Sequence, residues 1–386
     1  MKISTKYILL TILIIGGLQS CASHRAKYAQ NEQTQFNSPS NPYFTLYLIG
    51  DAGNSLKPTS ATVLDHLSAD INGTKSESAI VWLGDNIYPV GLAPEGHEDR
   101  ADGYNKLMAQ LNSLERYTGQ VYFIPGNHDW YSYGLQGILR QENVVEETLK
   151  SHRNKSNDNF FKPDNGCGDP ELITLKEGID IVLMDSQWFL RDDNTKNVET
   201  CACNTREEFL KTLDREITRS TSSSLIVAMH HPPYTYGHHG GGFTLKDHIF
   251  PITQVVDNAY IPLPVVGSFF NWFRNIASDQ DNKNPKYKKL KQQLIEYLDN
   301  RGSSLVVSGH EHNLQHIQLG MHNYIVSGAG SKNNPSKLGK GSQFCIGEKG
   351  YVKVIFSDPK HAIAEFIVPS KMTRDEHVVY SAKINF

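Results

Sequence analysis

The chain has 386 residues and lacks any apolar run of twenty, so no stretch suits a comfortable helical membrane span. It lacks a dominant basic block, and its formal net charge of −3 argues against a nucleic-acid backbone as an obligate partner. Cysteine is sparse: five residues, of which the one close pair, Cys201 and Cys203, does not have the doubled spacing of a structural zinc site. There is no internal repeat, which sets aside repeat architectures. Nor is the composition that of a disordered chain, because 39% apolar against 20% charged residues can bury a sizeable core. Histidine, by contrast, is plentiful, with sixteen residues gathered largely in a few clusters.

The N-terminus reads as an export signal, in which Lys2 and Lys6 flank the start of an apolar core of about ten residues. Leu18-Gln19-Ser20-Cys21 resembles a bacterial lipobox. That resemblance implies removal of residues 1–20 and acylation of Cys21, holding the protein on a bacterial membrane, facing periplasm or cell surface. Residues 21–42 are polar, rich in Asn, Gln and Ser, and read as a tether to a single catalytic domain over 43–386. Outside the cytoplasm the remaining cysteines read as disulfide partners. Cys201 and Cys203 are too close to pair, so each is expected to bond Cys167 or Cys345.

Along the domain, short apolar runs alternate with helical periodicity. Strands are expected at 44–49, 79–83, 121–124, 179–184, 225–229 and 305–307, with further strands at 324–326, 351–356 and 362–368. Helices are expected over 61–69, 99–117, 138–150 and 286–299, and another near Arg206, where Thr205 and Glu208 have capping-box spacing. Strand and helix alternate early and strands dominate late. This predicts an α/β fold of two mixed sheets packed as a sandwich and flanked by helices.

Five of these strands end in polar clusters: Asp51, Asp85 with Tyr88, Asn127-His128, His230, and His310 with His312. Strand C-terminal ends are where open α/β folds place ligands. If the five converge, two carboxylates would repel one another unless a cation lay between them. A mixture of imidazole and oxygen donors suits iron, zinc or manganese better than calcium, and seven such groups suffice for two ions.

The series Asp51-Ala52-Gly53, Gly84-Asp85-Asn86-Ile87-Tyr88, Gly126-Asn127-His128-Asp129, Val227-Ala228-Met229-His230 and Gly309-His310-Glu311-His312 resembles the metallophosphoesterase superfamily, specifically the purple acid phosphatases. The resemblance implies a four-layer αββα fold. It also implies one ion held by Asp51, Tyr88 and His312, a second held by Asn127, His230 and His310, and Asp85 bridging them. Gly53 stands where other superfamily members have His, and Tyr88 supplies a phenol they lack. This implies Fe(III) at the Tyr88 position and a divalent ion (Fe, Zn or Mn) at the other.

The implied reaction is hydrolysis of phosphate monoesters of small molecules by a metal-bound hydroxide, without a phosphoenzyme. His128 and His239, the latter nine residues after His230, are implied to contact phosphate or protonate the leaving group. A phosphodiesterase or nucleotide pyrophosphatase on the same fold is the alternative, and a non-catalytic metal-binding surface protein a more distant one. Within the insert 240–285, residues 243–276 depart from the family pattern and carry Phe250, Ile261, Phe269, Phe270 and Trp272. Three readings are open: a loop packed on its own domain, a lid beside the pocket, or a surface for membrane or partner.

Overall fold

The computed structural model describes residues 22–30, 35–56, 58–74, 77–153, 159–192, 201–250, 252, 259–263, 278, 280–369 and 377–386. The export signal, Cys21 and much of the insert lie outside the described residues.

The strands are β1 (Lys27–Tyr28), β2 (Phe44–Ile49), β3 (Ser78–Leu83), β4 (Gln120–Ile124), β5 (Glu171–Lys176), β6 (Ile179–Leu183), β7 (Ser224–Met229), β8 (Leu305–Ser308), β9 (Leu314–Leu319), β10 (His322–Ser327), β11 (Ser342–Ile346), β12 (Tyr351–Asp358), β13 (His361–Ile367) and β14 (Val378–Asn385). One sheet has eight strands in the order β1-β11-β9-β10-β8-β7-β6-β5, and the other six in the order β14-β13-β12-β2-β3-β4. The neighbours β2, β3 and β4 run parallel, as do β6, β7, β8 and β10, while the outer strands join antiparallel.

The apolar runs are continuous because these strands are buried on both faces. In β2 and β3, Phe44, Leu46, Leu48, Ala79, Val81 and Leu83 enter the core between the sheets. Their neighbours Tyr47, Ile49, Ile80 and Trp82 pack outward beneath helices. Helices Arg206–Arg219 and Pro285–Arg301 cover the eight-stranded sheet through Phe209, Leu213, Leu290 and Leu294. The expected capping box is present, with Thr205 accepting from Glu208 N. The result is the expected pair of mixed sheets with flanking helices. No helix among the described residues is long and apolar enough to cross a membrane.

Three expectations need correction. The stretch read as a tether is built into the fold where it is described. Ser23 pairs with Ser336, Lys27–Tyr28 pairs with β11, and Phe36 N donates to Ser381 Oγ. An open sheet edge takes backbone partners whatever their side chains, so polarity there did not report disorder. Of the cysteines, Cys201 does bond Cys167, but Cys203 and Cys345 are buried free thiols. Cys203 donates to Thr212 on a covering helix, whereas Cys345 sits in β11, so the fold separates them. Finally, strands β5, β9, β11 and β14 were not expected. Leu314-Gln-His-Ile-Gln-Leu, for example, places polar residues at buried positions, which breaks the apolar pattern.

Candidate metal centre

The C-terminal ends of β2, β3, β4, β7 and β8 bring all seven candidate donors together. Asp51, Asp85 and His310 take left-handed backbone conformations, with φ of 58°, 55° and 68°. Such φ values are costly for these residues and persist only where surroundings enforce them. Here the loops brace each other: Asp51 N donates to Gly84 O, Gly53 N to Asp85 O, and Tyr88 N to Gly53 O. A side chain at position 53 has no room, since its Cβ would lie 2.5 Å from Ile87 N and 2.7 Å from Asp85 O. Gly53 is therefore needed for the loop carrying Tyr88 to close down.

On one side, Tyr88 Oη donates within 2.8 Å of Asp51 Oδ1 and 2.7 Å of Asp85 Oδ2, and lies 3.1 Å from His312 Nε2. Burial, with Asp85 beside it, pushes the Asp51 carboxyl well above the usual carboxylate range. Burial and then the two carboxylates hold the Tyr88 phenol in its protonated form. Burial also works to raise Asp85, but the His230 and His128 rings and hydrogen bonds from Tyr88 Oη and His128 N hold it below its ordinary value.

On the other side, three acceptors converge. His230 Nδ1 faces Leu83 O at 2.7 Å, which places the ring proton there and turns the Nε2 lone pair inward. His310 Nε2 faces Gln280 O at 2.9 Å and turns Nδ1 inward. Asn127 Nδ2 donates to Tyr131 Oη at 3.0 Å, which fixes Oδ1 toward both rings, 3.0 Å from His230 Nε2 and 3.1 Å from His310 Nδ1. Burial lowers the pKa of His230, against the pull of Asp85, and lowers those of His310 and His312 well below the ordinary histidine value. Lone pairs aimed at one another, with no proton among them, are the arrangement a cation satisfies.

A family model of calcineurin-like phosphoesterases matches residues 44–314. The chain belongs to that family. No curated protein matches the chain. Among solved structures, this calcineurin-like phosphoesterase is similar to GAP50, the anchor in the inner membrane complex of Plasmodium, with 15% identity and a TM-score of 0.55 over 89% of this chain and 88% of that one. It is also similar to PhoD, with 12% identity and a TM-score of 0.55 over 90% and 71%. The yellow lupin purple acid phosphatase PPD1 is similar at 13% identity and a TM-score of 0.50, over 90% of this chain but 55% of that one. At such identities these likenesses speak for the fold alone.

The family binds a dinuclear metal centre, and the donors of this phosphoesterase fit one. Asp51, Asp85 and His312 offer atoms within 4.8 Å of one another, as do His230, His231 and His310. In the second set His231 is already engaged, with Nδ1 2.8 Å from Ser186 Oγ and Nε2 2.7 Å from Gln280 Oε1. Asn127 Oδ1 is the better third donor there. His231 instead supports the site from behind.

His128 and His239 both border the centre. The His128 ring packs 4.5 Å from that of Tyr88, and its Nδ1 lies 2.6 Å from Pro89 O. The His239 ring lies 4.1 Å from that of His310, and its Nδ1 is 2.6 Å from the buried Asp281 Oδ1. Four supporting residues were not read from the sequence. Asp129 accepts from Gly126 N, Asn86 N and Ile87 N at 2.7 to 3.1 Å, which clamps two ligand loops together. Glu311 accepts from Thr235 Oγ1 and Gly240 N and so holds the His239 loop. Asp281 orients His239. Lys332 Nζ sits 3.2 Å from the centroid of the Tyr88 ring. Asp129 and Glu311 lie inside the ligand motifs, where their position was a signal; Asp281 and Lys332 lie in loops without one.

Proposed function

We propose that the protein is a phosphoric monoester hydrolase of acid phosphatase type, anchored to a bacterial membrane through acylated Cys21. The observation that carries this reading is the phenol of Tyr88 within hydrogen-bonding distance of Asp51, Asp85 and His312. A phenolate is a hard anionic donor, which favours Fe(III) in that half of the site. Asn127, His230 and His310 would hold a divalent ion (Fe, Zn or Mn), with Asp85 shared. When bound, two such ions supply Lewis acidity and lower the pKa of water from about 15.7 toward about 7.

The chain's own groups do the rest. Asp281 fixes the Nδ1 proton of His239, leaving Nε2 to meet a phosphoryl or leaving-group oxygen. Pro89 O does the same for His128. Lys332 adds positive charge on the Tyr88 side, where it also bears on Asp51 and His312. No side chain is required as a covalent nucleophile.

The test is one preparation measured for metal content, visible absorption and rates on a monoester and a diester. The reading expects iron with a second metal, a visible band abolished in Tyr88→Phe, and faster monoester cleavage. A colourless, iron-free and fully active wild type overturns the ferric assignment, and faster diester cleavage overturns the ester class.

A further inference from the structure

Six large apolar side chains are strongly exposed among the described residues, and three of them fall in the insert: Leu245 (45%), Tyr260 (54%) and Ile261 (53%). The two segments that carry them are tied together. Leu263 N donates to Ile249 O at 2.7 Å, which ties the later segment to the helix Leu245–Ile249. Lys246 Nζ lies 5.0 Å from the Tyr260 ring centroid, and Phe250 packs on the same ring at 5.6 Å.

This patch adjoins the point where the chain enters the fold. Ala22 is buried, and its N–H donates to Phe243 O at 3.3 Å. Ser23 then pairs with Ser336. Cys21 therefore precedes a residue already fixed in the structure, and Leu245 is only two residues, at most about 7 Å of chain, beyond Phe243. The same Phe243 ring packs 5.1 Å from His238, next to His239 on the rim of the metal centre. Arg25 is exposed nearby in sequence and Lys246 lies within the patch. Apolar side chains mixed with cations are the composition of surfaces that lie in a membrane interface.

We propose that Leu245, Tyr260 and Ile261 form a membrane-seating surface that enters the headgroup–acyl boundary beside Cys21, with Lys246 and Arg25 among anionic headgroups. The choice of a bilayer rests on the reading of Cys21 as an acylated anchor. A lipid on a free tether would leave orientation open. A lipid on the residue before the buried Ala22 and beside an apolar patch sets it, with the rim of the catalytic centre close to the lipid surface.

The test separates patch from anchor. A full-length Cys21→Ser protein, exported by a signal that leaves no lipid, is sedimented with vesicles of phosphatidylethanolamine and phosphatidylglycerol. It should bind them. The added substitutions Leu245→Ser, Tyr260→Ser and Ile261→Ser should weaken partition at least about tenfold. Turnover of a soluble monoester, which reports folding, should change less than about twofold. Equal binding with and without the three substitutions, or no binding by either, overturns the proposal. Patch-dependent self-association without vesicle binding also overturns it and assigns the patch to a second copy. Mass analysis of the wild-type N-terminal peptide judges the anchor separately. An unacylated Cys21 with patch-dependent vesicle binding removes the anchor and keeps the surface.

Discussion

The two halves of the metal centre are built from different chemistry and secured in different ways. Around Tyr88 the donors are two carboxylates, a phenol and one imidazole, and the carboxylates are fixed by backbone N–H groups: His310 N to Asp51 at 2.8 Å and His128 N to Asp85 at 2.9 Å. Across Asp85 the donors are neutral, and backbone carbonyls of Leu83 and Gln280 orient the two imidazoles. Buried carboxylates demand donors or a cation, while neutral imidazoles need only a carbonyl to select the tautomer. One half thus presents acidic donors and the other amide and imidazole donors, with Asp85 between them. The asymmetry is already built into the protein before any metal binds.

The largest test of this comparison removes what the halves share. Asp85→Ala should lower kcat/KM by roughly a thousandfold, about 4 kcal/mol of transition-state stabilisation. Steady-state rates within tenfold of wild type would mean Asp85 does not join the halves. The halves themselves are separated by His312→Ala and His230→Ala. Each should leave about one equivalent of metal in place of about two, and different metals should remain in the two variants. Elemental analysis that shows the same metal lost from both would erase the distinction.

Asp129 braces the loops of both halves. Asp129→Ala leaves three buried N–H groups without their acceptor and should cost about 3 kcal/mol in denaturant unfolding, with Asp129→Asn recovering part of it. A buried carboxylate outside the centre provides a control. Asp185 accepts from Trp130 Nε1 and Trp188 N, yet burial pushes its pKa up to about 7. Between its ordinary value and about 7 the folded protein holds a proton that the unfolded chain releases, so stability falls as pH rises across that window. The stability of Asp185→Asn relative to wild type should therefore grow by roughly 2–4 kcal/mol from pH 4 to pH 7 and then level off. A difference independent of pH would refute the burial argument. The smallest effect is expected at the rim. Lys332→Met should raise KM for a monoester about fivefold, about 1 kcal/mol, with kcat little changed.

Much of the fold could be read in advance because β2, β3, β7 and β8 are buried on both faces and so carry uninterrupted apolar runs. The same burial explains why their polar ends stood out. Strands whose residues alternate or mix polarity, such as β5 and β9, gave no comparable signal. The polar stretch before β2 misled for the opposite reason, since backbone pairing along a sheet edge needs no apolar side chain. At the site, Asp51, Asp85, Tyr88, Asn127, His230, His310 and His312 were legible as strand-end residues. Asp281 and Lys332 were not, because each reaches the centre from a loop whose path only folding sets.

The sequence by itself determined which donors exist and at which strand ends they stand, because that placement follows from local apolar runs and their terminating motifs. It also determined that Tyr88 is present where position 53 offers no imidazole. Only the tertiary structure decided why: the loop of Asp85 and Tyr88 packs directly on Gly53, leaving no space for a side chain. It likewise decided which face of each imidazole is free, that His231 is spent on Ser186 and Gln280, and that Ala22 is seated beside Phe243. These depend on contacts between residues far apart in the chain, and no local pattern encodes them.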